Sequence, residues 1–120
     1  MPHFERLVDE VLRSLPEEIR QALDNLQIVI EDDPSPELLA EIGHPPDEPL
    51  FGLYVGVPLP ERVAGEPPYL PDQIFIFKKP LQRAFPDARQ LREQIRITVV
   101  HELAHFFGFD ETYLRKLGLD

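Results

Sequence analysis

The stretch His101-Glu102-Leu103-Ala104-His105-Phe106-Phe107-Gly108-Phe109-Asp110-Glu111 holds the residues whose types and spacing best fit chemistry. On a helix, His101 and His105 stand one turn apart and project from the same face, so both imidazoles can reach one divalent cation. Glu102 is the carboxylate that such sites use to take a proton from a water activated by the metal. Gly108 allows a sharp turn at the helix end that brings a third side chain back toward the ion. The chemistry implied is metal-dependent hydrolysis.

Two histidines four apart are weak evidence alone. The added glutamate makes a chance match in one short chain rare, on the order of a few per thousand at ordinary residue frequencies. The surroundings strengthen it. From Ile95 to Phe109 the chain is apolar except at Arg96, Thr98, His101, Glu102, His105 and Gly108. On a 3.6-residue period Gln94, Thr98, His101, Glu102 and His105 form one stripe roughly 100° wide. Arg89, Arg92, Glu93 and Arg96 lie opposite, in the first turns. The helix is therefore expected to become buried nearly all round in its last two turns, with the polar stripe running through the buried part. A buried polar row without partners would cost several kcal/mol, which a cleft holding a metal avoids.

Glu111 is the eleventh residue counted from His101, the position at which HExxHxxGxx[H/D] sequences place a third ligand, and Asp110 precedes it. Zinc accepts a carboxylate oxygen as well as an imidazole nitrogen. In the other common arrangement a glutamate arrives from a second helix well downstream, and only Asp120 follows Glu111 as an acid. Glu111 is the expected ligand. Asp110 is the alternative, or a partner that orients a histidine. One of the two acids also suits the N-cap of a short last helix reaching Leu117 and ended by Gly118.

The elements that must position this site can be read from periodicity. Phe4, Leu7, Val8, Val11, Leu12 and Leu15 form a helical stripe. Ser14, Pro16 and Glu17 resemble a capping box that starts a second helix through about Leu23. Leu26, Ile28 and Ile30 alternate along a strand with one wet face. Ser35-Pro36 opens a short helix that Gly43 closes, and 44–49 is a loop. A second strand covers 50–55, where Gly52 marks a bulge or a close backbone approach. Residues 57–72 form a long connection with five prolines, of a length that is often functional. A third strand, 73–77, is apolar on both faces and ends at Lys78-Lys79-Pro80. It is a candidate sheet edge for a bound peptide, or else a buried central strand. Asp87 starts the long metal helix.

At 120 residues the chain is expected to be one domain, 1–120. It has no Cys, which excludes disulfides and thiolate ligands. No leader peptide or apolar run approaching the length of a membrane span is visible, so a soluble cytoplasmic protein is expected. Residues 1–72 hold 16 acids against 4 bases, while 73–120 hold 6 against 8. That acidic balance argues against a nucleic-acid partner; if acidic runs line the cleft, cationic peptides would be favoured. Fourteen prolines and a single Asn point to a thermophilic source.

From Leu50 onward the chain resembles a small bacterial family of zincin-like metallopeptidases. The matching pieces are FGLYVGVPLPER, PDQIFIFKKPLQ, LREQIR and TVVHELAHFFGFDE. The resemblance implies an α+β, minimal zincin-like fold, with a small mixed β-sheet of about three strands packed against a long C-terminal active-site helix and N-terminal helices. It also implies zinc at His101 and His105, Glu102 as general base and an acid after the glycine. That family most often carries Asp at the eleventh position, where this chain has Glu111. Unlike metzincins, the chain has no Met beyond Met1 to build a Met-containing turn. It lacks the C-terminal subdomain that walls the cleft of larger zincins, so a shallow site is expected.

Three functions follow as expectations. The first is a zinc metallopeptidase acting on a peptide or protein substrate, with Glu102 moving the proton and Tyr113 or Tyr54 as candidates to steady an oxyanion. The second is a metal-dependent endoribonuclease, since Gly108-Phe109-Asp110 also resembles a phrase in the family that matures ribosomal RNA. Glu102 and Glu111 depart from that pattern. The third is a non-catalytic zinc-binding interaction module. Oligomeric state is not encoded in any of these features.

Overall fold

The apolar stripe at the N-terminus folds as an amphipathic helix, α1 (His3–Arg13), burying Phe4, Leu7, Val8 and Val11. A computed structural model describes residues 3–56, 61 and 72–119. After α1 come α2 (Glu17–Gln21), a 3-10 turn (Ala22–Asn25), β1 (Leu26–Glu31), α3 (Pro36–Ile42), β2 (Gly52–Val55) and β3 (Asp72–Phe77). The chain continues through α4 (Lys78–Ala84), α5 (Ala88–Phe107) and α6 (Glu111–Lys116). The fold is α+β, as the resemblance implied.

The sheet has the order β1-β3-β2. β1 runs parallel to β3, pairing Leu26 with Asp72 and Ile30 with Ile76, and β2 runs antiparallel, pairing Gly52 with Ile76 and Tyr54 with Ile74. The strand at 73–77 is therefore central: of the two readings its sequence left open, sheet edge or buried centre, the second is realised. Its composition explains the placement. Ile74 and Ile76 are fully buried and Phe77 nearly so, as suits a strand flanked and covered on its faces. The edge nearest the histidine helix is β2.

One apolar cluster joins α1, α5 and the sheet. Phe4, Val11, Ile74, Ile76, Leu81, Ile95 and Val99 are wholly buried within it, and each such side chain contributes about 1.5–3 kcal/mol relative to exposure. Helix α5 touches α1, α4, β2 and β3, so the helix carrying the histidines is also the one around which the domain packs. Asp87 caps its start by accepting from the Gln90 N–H at 3.0 Å. On its exposed side, the hydrogen bond from Arg96 holds the Glu93 carboxyl below its ordinary pKa.

Several local expectations hold. Ser35 caps α3 by accepting from the Leu38 N–H, and Gly43 ends that helix in the left-handed conformation at φ 72°. Two are corrected. The Ser14 hydroxyl donates back to the Val11 carbonyl at 2.7 Å, so it closes α1 rather than opening α2. Lys78-Lys79-Pro80 ends β3 as expected and at once starts α4. There the Lys79 N–H finds the Asp32 carbonyl at 2.9 Å, and Pro80 needs no donor in a first turn. Finally, the last two turns of α5 bury Glu102, Leu103, Ala104 and Phe106 but leave His101 and His105 exposed. The expectation of a functional loop at 57–72 lies outside the described residues except at Glu61 and Asp72. Among the described residues no helix is long and apolar enough to cross a membrane.

Candidate metal centre

Helical spacing brings His101 and His105 together as expected. Their ring centroids are 4.8 Å apart, with the planes inclined by 58°. The two imidazoles are open to solvent, with side chains 66% and 55% exposed, whereas the Glu102 side chain between them is only 8% exposed. The polar stripe is thus split. Thr98 and Glu102 are buried and both histidines face outward, which corrects the picture of a stripe buried along its length. A shallow site, open on the imidazole side, is the result.

Glu102 is held by the edge strand. The Tyr54 main-chain N–H donates to Glu102 Oε1 at 2.9 Å, bridging β2 and α5 across 48 residues of sequence. Oε1 also lies 3.7 Å from His105 Nδ1, and Oε2 lies 3.8 Å from His101 Nε2. Burying a carboxylate costs several kcal/mol unless its oxygens are hydrogen-bonded or paired; here the Tyr54 N–H supplies the hydrogen bond. Strand and helix come this close because residue 52 is glycine. A Cβ there would stand 2.6 Å from Thr98 Cγ2, 3.1 Å from the Phe75 carbonyl oxygen and 3.5 Å from Glu102 Cγ. Of the two readings the sequence left for Gly52, close approach is the one realised.

Past His105 the chain turns as the motif requires. Gly108 ends α5 at φ 75°, in the left-handed region, and its N–H bonds the Ala104 carbonyl. Asp110 then caps α6, its carboxylate accepting from the Tyr113 N–H at 2.9 Å. Glu111 is the first residue of α6 and is exposed. Among the described residues no group of three or more His, Asp or Glu side chains stands arranged to hold a metal, so neither acid is gathered with the imidazoles here. Tyr113 packs on Phe109 with ring centroids 4.4 Å apart, beside an open groove shared with Gly108, Thr112 and Lys116. The Tyr54 hydroxyl donates to Asp72 Oδ2 at 2.7 Å.

The donor chemistry fits zinc at two of its positions: two accessible imidazoles from successive turns of one helix, beside an anchored carboxylate that does not itself bridge them. A model of the zincin-like metallopeptidase family matches residues 23–119, four-fifths of the chain. The chain belongs to that family. The zincin-like match takes in the whole sheet, the histidine helix and α6, leaving out only α1 and α2. Helix α1 is nonetheless part of this zincin-like core, because Phe4 and Val11 are wholly buried in the same cluster as Ile95 and Val99 of α5. No curated protein matches the sequence.

Two contributors escaped the sequence. The Tyr54 N–H is a main-chain group, which carries no signal of its own in the residue type. Asp72 announced itself only as an acid at the head of an apolar strand, a position that exposed turn residues also occupy. It is 2% exposed.

Proposed function

We propose that this zincin-like protein is a zinc-dependent peptidase with Glu102 as its general base. His101 and His105 would hold the metal, and Glu111 would complete the set, with Asp110 as the alternative. The observation that carries the reading is a buried carboxylate fixed by a main-chain N–H between two solvent-facing imidazoles. In support of Glu111, the Asp110 carboxylate is already engaged in capping α6, while Glu111 is exposed at the first position of that helix, three residues past Gly108.

Zinc, when bound, supplies a Lewis acid that polarises a peptide carbonyl and makes water acidic enough to act near neutral pH. Glu102 takes the proton of the attacking water and returns it to the departing amine. The Tyr54 N–H on Oε1 fixes the carboxylate plane, and Oε2, the oxygen without that donor, is offered to carry the proton. An extended peptide would lie along β2, the sheet edge that touches Glu102, through main-chain hydrogen bonds. The acidic balance of residues 1–72 disfavours a nucleic-acid substrate.

Glu102→Gln keeps the shape of the side chain and removes the base. Cleavage of a mixed quenched-fluorescent peptide library should fall about 10²–10⁴-fold, with zinc content per chain unchanged. Cleavage of RNA but not of peptides would replace this reading with the ribonuclease one. Stoichiometric zinc with no hydrolysis of either would leave a metal-binding interaction module.

A further inference from the structure

Three polar or charged side chains are buried among the described residues: Thr98, Glu102 and Asp72. Thr98 packs against Gly52 and Glu102 is the base proposed above. Asp72 has no part in that chemistry, yet it is the most deeply buried of the three at 2% exposure. A carboxylate so placed needs strong partners to offset its lost hydration. Its Oδ2 accepts the Tyr54 hydroxyl proton at 2.7 Å. The chain leaving β2 closes over the other oxygen, since a Cβ on Gly56 would fall 2.4 Å from Asp72 Oδ1.

Tyr54 is therefore held at both ends. Its hydroxyl is on Asp72, and its main-chain N–H is on Glu102 Oε1 at 2.9 Å. Between them its ring packs edge-on against Phe106 with centroids 6.0 Å apart, and Phe106 lies one turn beyond Glu102 on α5. The register explains the geometry. Tyr54 pairs with Ile74, so Asp72 is its diagonal neighbour on the same face of the sheet. The Phe77 N–H bonds the Phe51 carbonyl, and alternation then turns Leu53 and Val55 toward β3 and Tyr54 N–H toward the outer edge.

We propose that Asp72 and Tyr54 act as a positioning pair: the buried carboxylate fixes the tyrosine ring, and the ring fixes the edge-strand N–H that orients Glu102. This deepens the peptidase reading and rests on it for its catalytic consequence. The geometric claim stands apart from that reading. Both are positioning residues, acting on the chemistry through Glu102.

Two variants test the pair, Tyr54→Phe, which deletes only the hydroxyl, and Asp72→Asn, which keeps the shape and removes the charge. Amide hydrogen exchange by NMR on the full chain is the readout independent of activity. In both variants the Tyr54 amide should exchange about tenfold faster, as loss of a hydrogen bond of ordinary strength implies. The Leu53 and Val55 amides should keep their protection. On the peptide library, kcat should drop about tenfold while KM and zinc affinity stay within about twofold, since an ill-oriented base slows chemistry without loosening binding. Unchanged exchange at Tyr54 overturns the proposal, as does an equal loss of protection at all three amides, which would mean simple loosening of β2. Should Asp72→Asn fail to fold, Tyr54→Phe decides alone. Should the parental protein cleave no peptide, the exchange data still decide the pair while the peptidase reading falls separately.

Discussion

Asp110 and Glu111 are neighbours of the same charge with different physical duties. Asp110 caps α6 through the Tyr113 N–H, and losing an N-cap costs about 1 kcal/mol. Glu111 stands exposed in the first turn of that helix. Asp110→Ala should therefore lower the unfolding free energy by about 1 kcal/mol in a denaturant titration and weaken zinc only modestly. Glu111→Ala should leave stability nearly intact. It should weaken zinc by more than the about 10–100-fold that loss of a supporting residue costs, as measured by competition with a chromophoric chelator. The reverse pattern would make Asp110 the ligand. Spacing alone offered both acids as ligand or cap; the bond from the Tyr113 N–H to the Asp110 carboxylate decided which one caps.

At the level of elements, the contact between β2 and α5 is the joint on which the site turns. It depends on a bare Cα at residue 52 against the Thr98 methyl and the Phe75 carbonyl. Gly52→Ala should force the strand outward and cost about 1–3 kcal/mol, the usual range for overpacking. It should also lengthen the bond from the Tyr54 N–H to Glu102 and depress hydrolysis beyond what the stability loss explains. Thr98→Ser deletes Cγ2, the nearest offending atom, so the double variant should recover part of both losses. A thermal melt alongside peptide turnover checks this; absence of any recovery would show that the Phe75 main chain, not Thr98, sets the spacing. The sequence marked Gly52 as unusual but could not say what approached it, because that neighbour lies 46 residues away. The sheet edge was likewise left open. An all-apolar 73–77 fits either an edge under a bound peptide or a covered centre, and only pairing on both sides by β1 and β2 decides between them.

For the molecule as a whole, the helix that presents the imidazoles is also the one packed against α1, α4 and both neighbouring strands. Zinc held at His101 and His105, as proposed, should couple to global stability. Zinc at about a hundred times its dissociation constant should add about 2.7 kcal/mol to the folded state, seen as a rise of several degrees in Tm that a chelator reverses. His101→Ala should abolish the zinc-induced shift. Because His101 is mostly exposed, it should leave the metal-free Tm nearly unchanged. A metal-independent melt of the parental protein would rule out the centre.

The residues that could do the chemistry were determined by sequence alone: the i, i+4 histidines, the glutamate between them and the glycine that turns the chain. Each of these depends on helical geometry and local backbone freedom, which act over a turn or two. The α+β character and most helix ends were legible for the same reason, since caps such as Ser35, Asp87 and Gly43 work through bonds three or four residues long. Tertiary structure decided which polar groups are wet and which are sealed. It exposed both imidazoles, buried Glu102 and Asp72, and drew Tyr54 onto both. Those outcomes depend on desolvation and on contacts between segments far apart in the chain, and no spacing within one helix or strand encodes them.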